Sequence, residues 1–325
     1  MKKLLLSHAL YQPGMDVLKD KVELIIPNEG DSDKILPLLK EADGFILRIG
    51  KIDRKAIEAC PNLRVIVRPG VGVDNVDVQA ATEHGIPVVV CPAANAQSVA
   101  EHALALMFAV SKSIVTYAVE ARKGNFAVRN RYAAVEMQGK SVAVLGFGNI
   151  GRRLAAMAKG VGMQVAVYDP FVARGTVEGA GYAFMGTLEE ALASADYVSL
   201  HMPSLPETRG MIGEQALAHM RPTAYLINCA RGDIVDEAAL ATALRRGVIA
   251  GAGLDVLGKE PFDPYDPLMS MENVVITPHS AAQTQEATRV VAVRAAEGAL
   301  AVLNGEQWNS VCNPEAYKHP RWRQR

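Results

Sequence analysis

The sequence predicts an α/β protein of two domains, each built on a parallel sheet, and three observations carry that expectation. Short β-rich runs alternate with helical stretches twice over, first from Leu4 to about Pro92 and again from Ser141. The length, 325 residues, suits two domains at roughly 150 residues each. Between the two alternations lies an apolar helical pattern with its own start signal, not a flexible tether.

The strand-like runs of the first half are Leu4–Leu6, Val22–Ile26, Gly44–Ile49, Leu63–Val67 and Ile86–Val90. Met1-Lys2-Lys3 followed by three leucines imitates a signal peptide, but Ser7, His8, Gln12 and Asp16 interrupt the apolar stretch, so a first strand is expected. Ser98-Val99-Ala100-Glu101 reads as a capping box opening a helix that runs to about Arg122. Its most apolar run, Ala103–Val110, is far below the ~20 residues of a membrane span. No membrane partner is expected.

The second set of runs is Val142–Leu145, Gln164–Tyr168, Tyr197–Leu200, Ala224–Asn228, Ala250–Val256 and Asn273–Ile276. After Ser280 a helical pattern with Ala287, Val290, Val291, Ala295 and Val302 on one face runs to about Asn304, before a Pro-containing tail. That helix is long enough to lead back to the first domain. The expected division is a discontinuous domain of residues 1–100 plus 290–325 and a second domain of 101–289, joined by two crossing helices.

With 34 Lys+Arg against 35 Asp+Glu, the net charge of -1 gives no broad attraction to nucleic acid or anionic lipid, which favours a small-molecule enzyme. Cys60, Cys91, Cys229 and Cys312 lie far apart with no C-x-x-C pair, so neither a metal site nor a disulfide framework is expected. A reducing, cytoplasmic compartment fits that usage.

The strand Val142–Leu145 ends in Gly146-Phe147-Gly148-Asn149-Ile150-Gly151 and is followed by a helical run. In such a strand-turn-helix, the first glycine permits the turn, the second lets a pyrophosphate approach the backbone, and the third allows close helix-strand packing. A second strand, Gln164–Tyr168, ends in Asp169, 18 residues beyond Gly151, where a carboxylate can accept hydrogen bonds from the ribose hydroxyls and repel a 2'-phosphate. The unit is therefore expected to bind a dinucleotide, NAD ahead of NADP, although Arg174 lies close by in sequence.

Three reactive side chains each follow an expected strand: Arg231 after Ala224–Asn228, Glu260 after Ala250–Val256, and His279 after Asn273–Ile276. Parallel strands deliver their carboxyl ends to one edge, where open α/β sheets bind ligands.

Here the sequence resembles a known family. Gly146 to Gly151, Asn228-Cys229-Ala230-Arg231-Gly232, Gly253-Leu254-Asp255-Val256 through Glu260-Pro261, and Thr277-Pro278-His279 are similar to motifs of the D-2-hydroxyacid dehydrogenases. That family includes phosphoglycerate dehydrogenase and the glyoxylate and hydroxypyruvate reductases. Arg68 to Asp77 and Asn95 to Glu101 also resemble its first-domain signatures, so the likeness covers nearly the whole chain. It implies two Rossmann-like domains, a flavodoxin-like substrate domain and a dinucleotide-binding domain, with the active site in the cleft between them and motion about the crossing helices.

The resemblance implies hydride exchange between NAD and a small 2-keto or 2-hydroxy acid. In that chemistry Arg231 grips the carboxylate and polarises the carbonyl with a fork that lysine cannot reproduce. His279 is the acid in reduction and the base in oxidation, and Glu260 orients its ring. Cofactor contacts are implied at Gly146, Gly148, Asn149, Ile150, Gly151, Asp169, His201, Thr208, Cys229, Ala230 and Asp255, the last at the nicotinamide end. Substrate contacts are implied at Val71, Gly72 and Asn95 besides Arg231 and His279. His84 and His102 are structural or secondary candidates, and Cys229 is expected to be a buried thiol rather than a nucleophile.

Arg48, Arg68 and the pair Arg129 and Arg131 lie near places where phosphoglycerate dehydrogenases handle a second anionic group. The chain lacks room for the regulatory C-terminal domain many of those enzymes carry, which leaves short forms and the reductases open. A homodimer is expected through the first crossing helix and the segment Gly124–Glu136, with Phe126 and Tyr132 exposed. The alternative reading is an NADH-sensing binding protein similar to the dehydrogenase-fold corepressors.

Overall fold

The computed structural model describes residues 1–322. It divides into two compact units, one of Met1–Asn95 with the chain from Gln283 on, the other of Ala96–Ala282.

The first unit holds β1 (Lys3–Leu6), β2 (Glu23–Ile25), β3 (Gly44–Ile46), β4 (Val65–Val67) and β5 (Val88–Val89) in the order β2-β1-β3-β4-β5, parallel throughout. This 2-1-3-4-5 order is the flavodoxin-like one. Leu4 and Leu6 face a core shared with Val65, Val67 and Ala295, and Leu5 faces the opposite core with Phe45 and Ile66. Helices cover both faces, so the strand reads as a continuous apolar run, and the leader-like start is an interior strand. The C-terminal tail closes the outer edge of β5. Val311 bridges Val89 antiparallel, and the buried Asn313 accepts from the Val88 N–H and donates to the Ile86 carbonyl.

The second unit holds β6 (Ser141–Leu145), β7 (Gln164–Tyr168), β8 (Ala183–Phe184), β9 (Tyr197–Leu200), β10 (Tyr225–Asn228), β11 (Gly251–Leu254) and β12 (Val274–Ile276). Their order is β12-β11-β10-β9-β6-β7-β8, all parallel, which is the dinucleotide-binding 3-2-1-4-5-6 order with one strand added. The two-residue edge strand β8 was absent from the sequence expectation because two residues carry no periodic signal.

Three helical expectations need correction. The first crossing helix begins at Ala96, which places Ser98 in its first turn rather than at its N-cap, and the Glu101 carboxylate accepts from Gln97 Nε2. The helix does not run on to Arg122. It ends at Ser111, and a second helix, Ile114–Arg122, departs at 61°. Ser111 Oγ donates back to the Met107 carbonyl and Ser113 sits at φ 50°, a left-handed residue that ends the ladder. The third concerns the helix Gln285–Leu303, which turns Ala287, Ala295 and Val302 inward as expected and packs Val291 against the same core, but leaves Val290 38% exposed.

Each long helix packs as a whole within one unit, which moves the boundaries to 95/96 and 282/283. Helix Ala96–Ser111 lies on the second sheet, where a Cβ on Gly253 would stand 3.0 Å from Leu106 Cβ. Among the described residues no single helix is long and apolar enough to cross a membrane; the bent pair Ala96–Ser111 and Ile114–Arg122 passes by length and composition, but its first member is largely buried in this core.

Candidate active site of the second unit

Strand register assembles the site. Tyr168, Leu145, Leu200, Asn228, Leu254 and Ile276 are paired neighbours across the sheet. The residues that follow them, Asp169, Gly146, His201, Cys229, Asp255 and Thr277, therefore form one row along the carboxyl edge. At the usual strand spacing, the five intervals from β7 to β12 span roughly 24 Å. Sequence-separated groups meet along this edge for a topological reason, not by local folding.

The glycines of the turn differ in what they permit. Gly146 has φ 97°, and a Cβ there would lie 2.8 Å from the His201 carbonyl. A Cβ on Gly151 would meet the Gly146 oxygen at 2.0 Å, so this position admits no side chain. Around Gly148 no atom of the described residues beyond its chain neighbours lies within 4 Å of the same point. Two glycines thus serve the packing, and the middle one borders open space at the start of helix Asn149–Gly160, whose N-terminus, with Asn149 and Ile150 in its first turn, has no side-chain cap. Uncapped N–H groups, the positive end of the helix dipole and room for close backbone approach fit a pyrophosphate. Asp169 braces the turn, its carboxylate accepting from the N–H groups of Phe147 at 2.8 Å and Phe171 at 2.9 Å. Arg174 is turned to Glu178 at 3.3 Å and stacks on the Phe184 ring.

Arg231 is presented by a turn that Asn228 builds. The buried Asn228 accepts from the Ala230 N–H at 2.9 Å and donates to the Arg231 carbonyl at 2.8 Å, while Arg231 Nη1 donates to the Ala230 carbonyl at 2.7 Å. Gly232 lets this turn pack against the next, since its Cβ would fall 1.9 Å from the Leu257 carbonyl carbon. Glu237 then takes the Gly258 N–H at 2.6 Å, two residues before Glu260; burial pushes the Glu237 carboxyl above its ordinary range.

His279 Nδ1 meets both oxygens of Glu260, at 2.8 and 3.0 Å. With Nδ1 carrying the proton toward the carboxylate, Nε2 is left for proton exchange. The backbone of His279 is left-handed, φ 50°, and its N–H donates to the carbonyls of Asp255 and Thr277. Asp255, which resemblance assigns to the nicotinamide end, is fully buried and spends its carboxylate on Thr277 Oγ1 at 2.6 Å, the Ser280 N–H at 2.9 Å and the Ala281 N–H at 2.8 Å. In this conformation it organises the loop around His279.

The remaining expected positions divide similarly. Thr208 uses its hydroxyl within its own turn, donating to the Pro203 carbonyl and accepting from the Leu205 N–H. His201 bonds Ser199 through Nε2 at 2.8 Å; its Nδ1 is buried without a partner among the described residues, and burial pushes its pKa down to about 3, so the ring is neutral. The Cys229 thiol is pushed far up, first by burial and then by the Asp255 charge, which removes it as a nucleophile. Arg131 pairs with Glu272 at 3.1 Å, before β12 and so at the opposite sheet edge from His279, and Arg129 lies over the Phe126 ring. In the first unit Val71, 51% exposed, and Gly72 follow β4, and Asn95 follows β5, all at that sheet's carboxyl edge. Arg48 and Arg68 stand at the same edge, Arg68 Nη1 donating to the Arg48 carbonyl at 3.4 Å.

Sequence reasoning missed Asn228, Thr277 and Glu237. An Asx turn two residues before Ala230 was the available signal for Asn228. Thr277 and Glu237 act on residues 22 and 21 positions away, and nothing local announces such pairs.

Uncapped helix, glycine turn and carboxyl-edge row define the second unit as a dinucleotide-binding α/β domain. Residues 104–281 match the family model for the D-isomer specific 2-hydroxyacid dehydrogenase NAD binding domain. The chain belongs to the D-isomer specific 2-hydroxyacid dehydrogenase family, and its second unit is a nicotinamide dinucleotide domain. It is 38% identical over 315 residues to D-3-phosphoglycerate dehydrogenase of Methanocaldococcus jannaschii, covering 96% of this chain and 60% of that protein. It is 40% identical over 303 residues to the enzyme of the same name from Mycobacterium leprae, covering 93% and 57%. The chain thus spans less than two thirds of the length of these relatives. Among solved structures, a Thermus thermophilus protein superposes with TM-score 0.88 at 34% identity, over 95% of this chain and 99% of that one. The NADPH-dependent glyoxylate/hydroxypyruvate reductase of Sinorhizobium meliloti, in complex with NADP and malonate, gives 0.86 at 26% identity, over 97% and 98%.

Proposed function

We propose that the protein is an NAD-dependent D-2-hydroxyacid dehydrogenase acting reversibly on a small 2-keto acid. The observation that carries this reading is the His279–Glu260 pair, with Nδ1 engaged and Nε2 left over, on the sheet edge that also bears Arg231 and the glycine turn. Gly148, the N-terminus of helix Asn149–Gly160 and Asp169 would hold the dinucleotide, which supplies or accepts the hydride when bound. As negative charge grows on the carbonyl oxygen, the Arg231 guanidinium offsets it, and His279 Nε2 gives that oxygen its proton. Oxidation reverses the transfer, with Glu260 stabilising the imidazolium. Val71, Gly72 and Asn95 are the proposed further contacts of the substrate carboxylate.

NAD is the proposed cofactor because Asp169 directly follows β7 and the nearby Arg174 is turned to Glu178 and Phe184. A phosphorylated three-carbon acid is the favoured substrate, supported by the relatives' names and by Arg48 and Arg68 at one sheet edge. A homodimer is proposed because helix Ile114–Arg122 buries no residue and leaves Ile114, Val115 and Val119 exposed, next to Phe126 at 74% and Tyr132 at 86%.

Steady-state assays with NADH and NADPH against phosphohydroxypyruvate, hydroxypyruvate and glyoxylate test the reading. Turnover with NADH, fastest on phosphohydroxypyruvate, is expected. NADH binding with no turnover on any of the three would contradict it and support the sensing protein instead.

A further inference from the structure

His279 occupies left-handed backbone space, and proton exchange alone gives no reason for it. A non-glycine residue in that conformation is uncommon and is held there by its surroundings. Several groups do so here. Its own N–H reaches the Asp255 and Thr277 carbonyls, while residues on both sides of it, Thr277 before and Ser280 and Ala281 after, bond the single buried carboxylate of Asp255. Asp255 is itself anchored, its N–H donating to the Asn228 carbonyl at 2.8 Å.

Behind Thr277 stands His102, on helix Ala96–Ser111, with Nε2 2.9 Å from Thr277 Oγ1 and 3.5 Å from Asp255 Oδ1. A hydroxyl has one proton, and the carboxylate only accepts. The Thr277 proton therefore goes to Asp255, and His102 Nε2 donates to the Thr277 oxygen, which fixes that imidazole with a proton on Nε2. The chain His102 to Thr277 to Asp255 runs one way and ties the His279 loop to a core helix.

We infer that Thr277, backed by His102, is a positioning residue that holds His279 against Glu260 and aims its Nε2. This rests on the proposed role of His279. Thr277 is assigned no contact with substrate or cofactor; it acts through the Asp255 carboxylate, and valine, its apolar isostere, removes that bond while keeping the volume.

Thr277→Val, Thr277→Ser and His102→Gln test it in the full chain. The first readout is the proton NMR signal of His279 Nδ1–H bonded to Glu260, assigned by its loss in His279→Gln. The second is kcat on the best substrate, with NADH affinity measured separately by fluorescence. Thr277→Val is expected to abolish or broaden the signal and to lower kcat ten- to hundredfold with NADH affinity within twofold of wild type. Thr277→Ser restores both, and His102→Gln gives a smaller loss in the same direction. An unchanged signal and a kcat within twofold in Thr277→Val would overturn the inference. So would loss of NADH binding along with kcat, without rescue by serine, since that marks general collapse of the loop. If Thr277→Val does not fold, His102→Gln decides by the same signal. The NMR arm stands even if no substrate turns over, so failure of this inference and failure of the proposed activity are separable.

Discussion

Arg231 is held by its own turn and by Asn228, so its guanidinium is a prepared fork rather than a free surface charge. Lysine keeps the charge and loses the planar geometry; Arg231→Lys is expected to lower kcat/KM about 100-fold, ~2.7 kcal/mol, chiefly through KM for the keto acid. A second residue-scale consequence concerns pH. His201 is depressed by burial from 6.5 to about 3, so below pH 6.5 the unfolded chain takes up a proton that the folded one refuses. Stability present above pH 6.5 is lost as pH falls toward 3, by at most about 1.4 kcal/mol per pH unit. Urea unfolding at pH 7 and pH 5 should show a steeper loss in wild type than in His201→Asn; equal losses would remove burial of His201 as the cause.

At the scale of elements, the glycine turn separates packing from binding. Gly151→Ala forces a Cβ onto the Gly146 oxygen and should cost about 1–3 kcal/mol of stability. Gly148→Ala meets no atom of the described residues beyond its chain neighbours, so the thermal midpoint should stay near wild type while NADH affinity falls at least tenfold. Matching effects of the two on both readouts would contradict the division. The strands themselves were legible: a parallel sheet buried on both faces writes itself as apolar runs, and Gln164–Tyr168 and Tyr197–Leu200 are found at their expected bounds. Helix ends were less so, because Ser98-Val99-Ala100-Glu101 satisfies the local capping rule while packing of Ala96 and Ser98 in the core starts the helix earlier. The break at Ser113 depends on one left-handed residue, and serine gives no warning of it.

For the whole molecule, the exposed apolar face of helix Ile114–Arg122 and its neighbours predicts a mass near twice 34.8 kDa by light scattering, shifted to the monomer by Val119→Glu. A monomer in wild type would contradict it. The candidate site was readable as a set of residue types in order, Arg231, Glu260 and His279 each after a strand, because topology carries strand ends to one edge. What topology does not write into sequence is the support behind them, such as Thr277 on Asp255 or Glu237 on Gly258, which depends on pairs brought together only in the folded chain. The central claim is that His279 exchanges the proton of the reaction. Single-turnover oxidation of bound NADH by the best keto acid, compared between wild type and His279→Ala, tests it most directly. A loss of at least about 1000-fold, ~4 kcal/mol, with NADH affinity unchanged, is expected; a rate within tenfold of wild type would contradict the account.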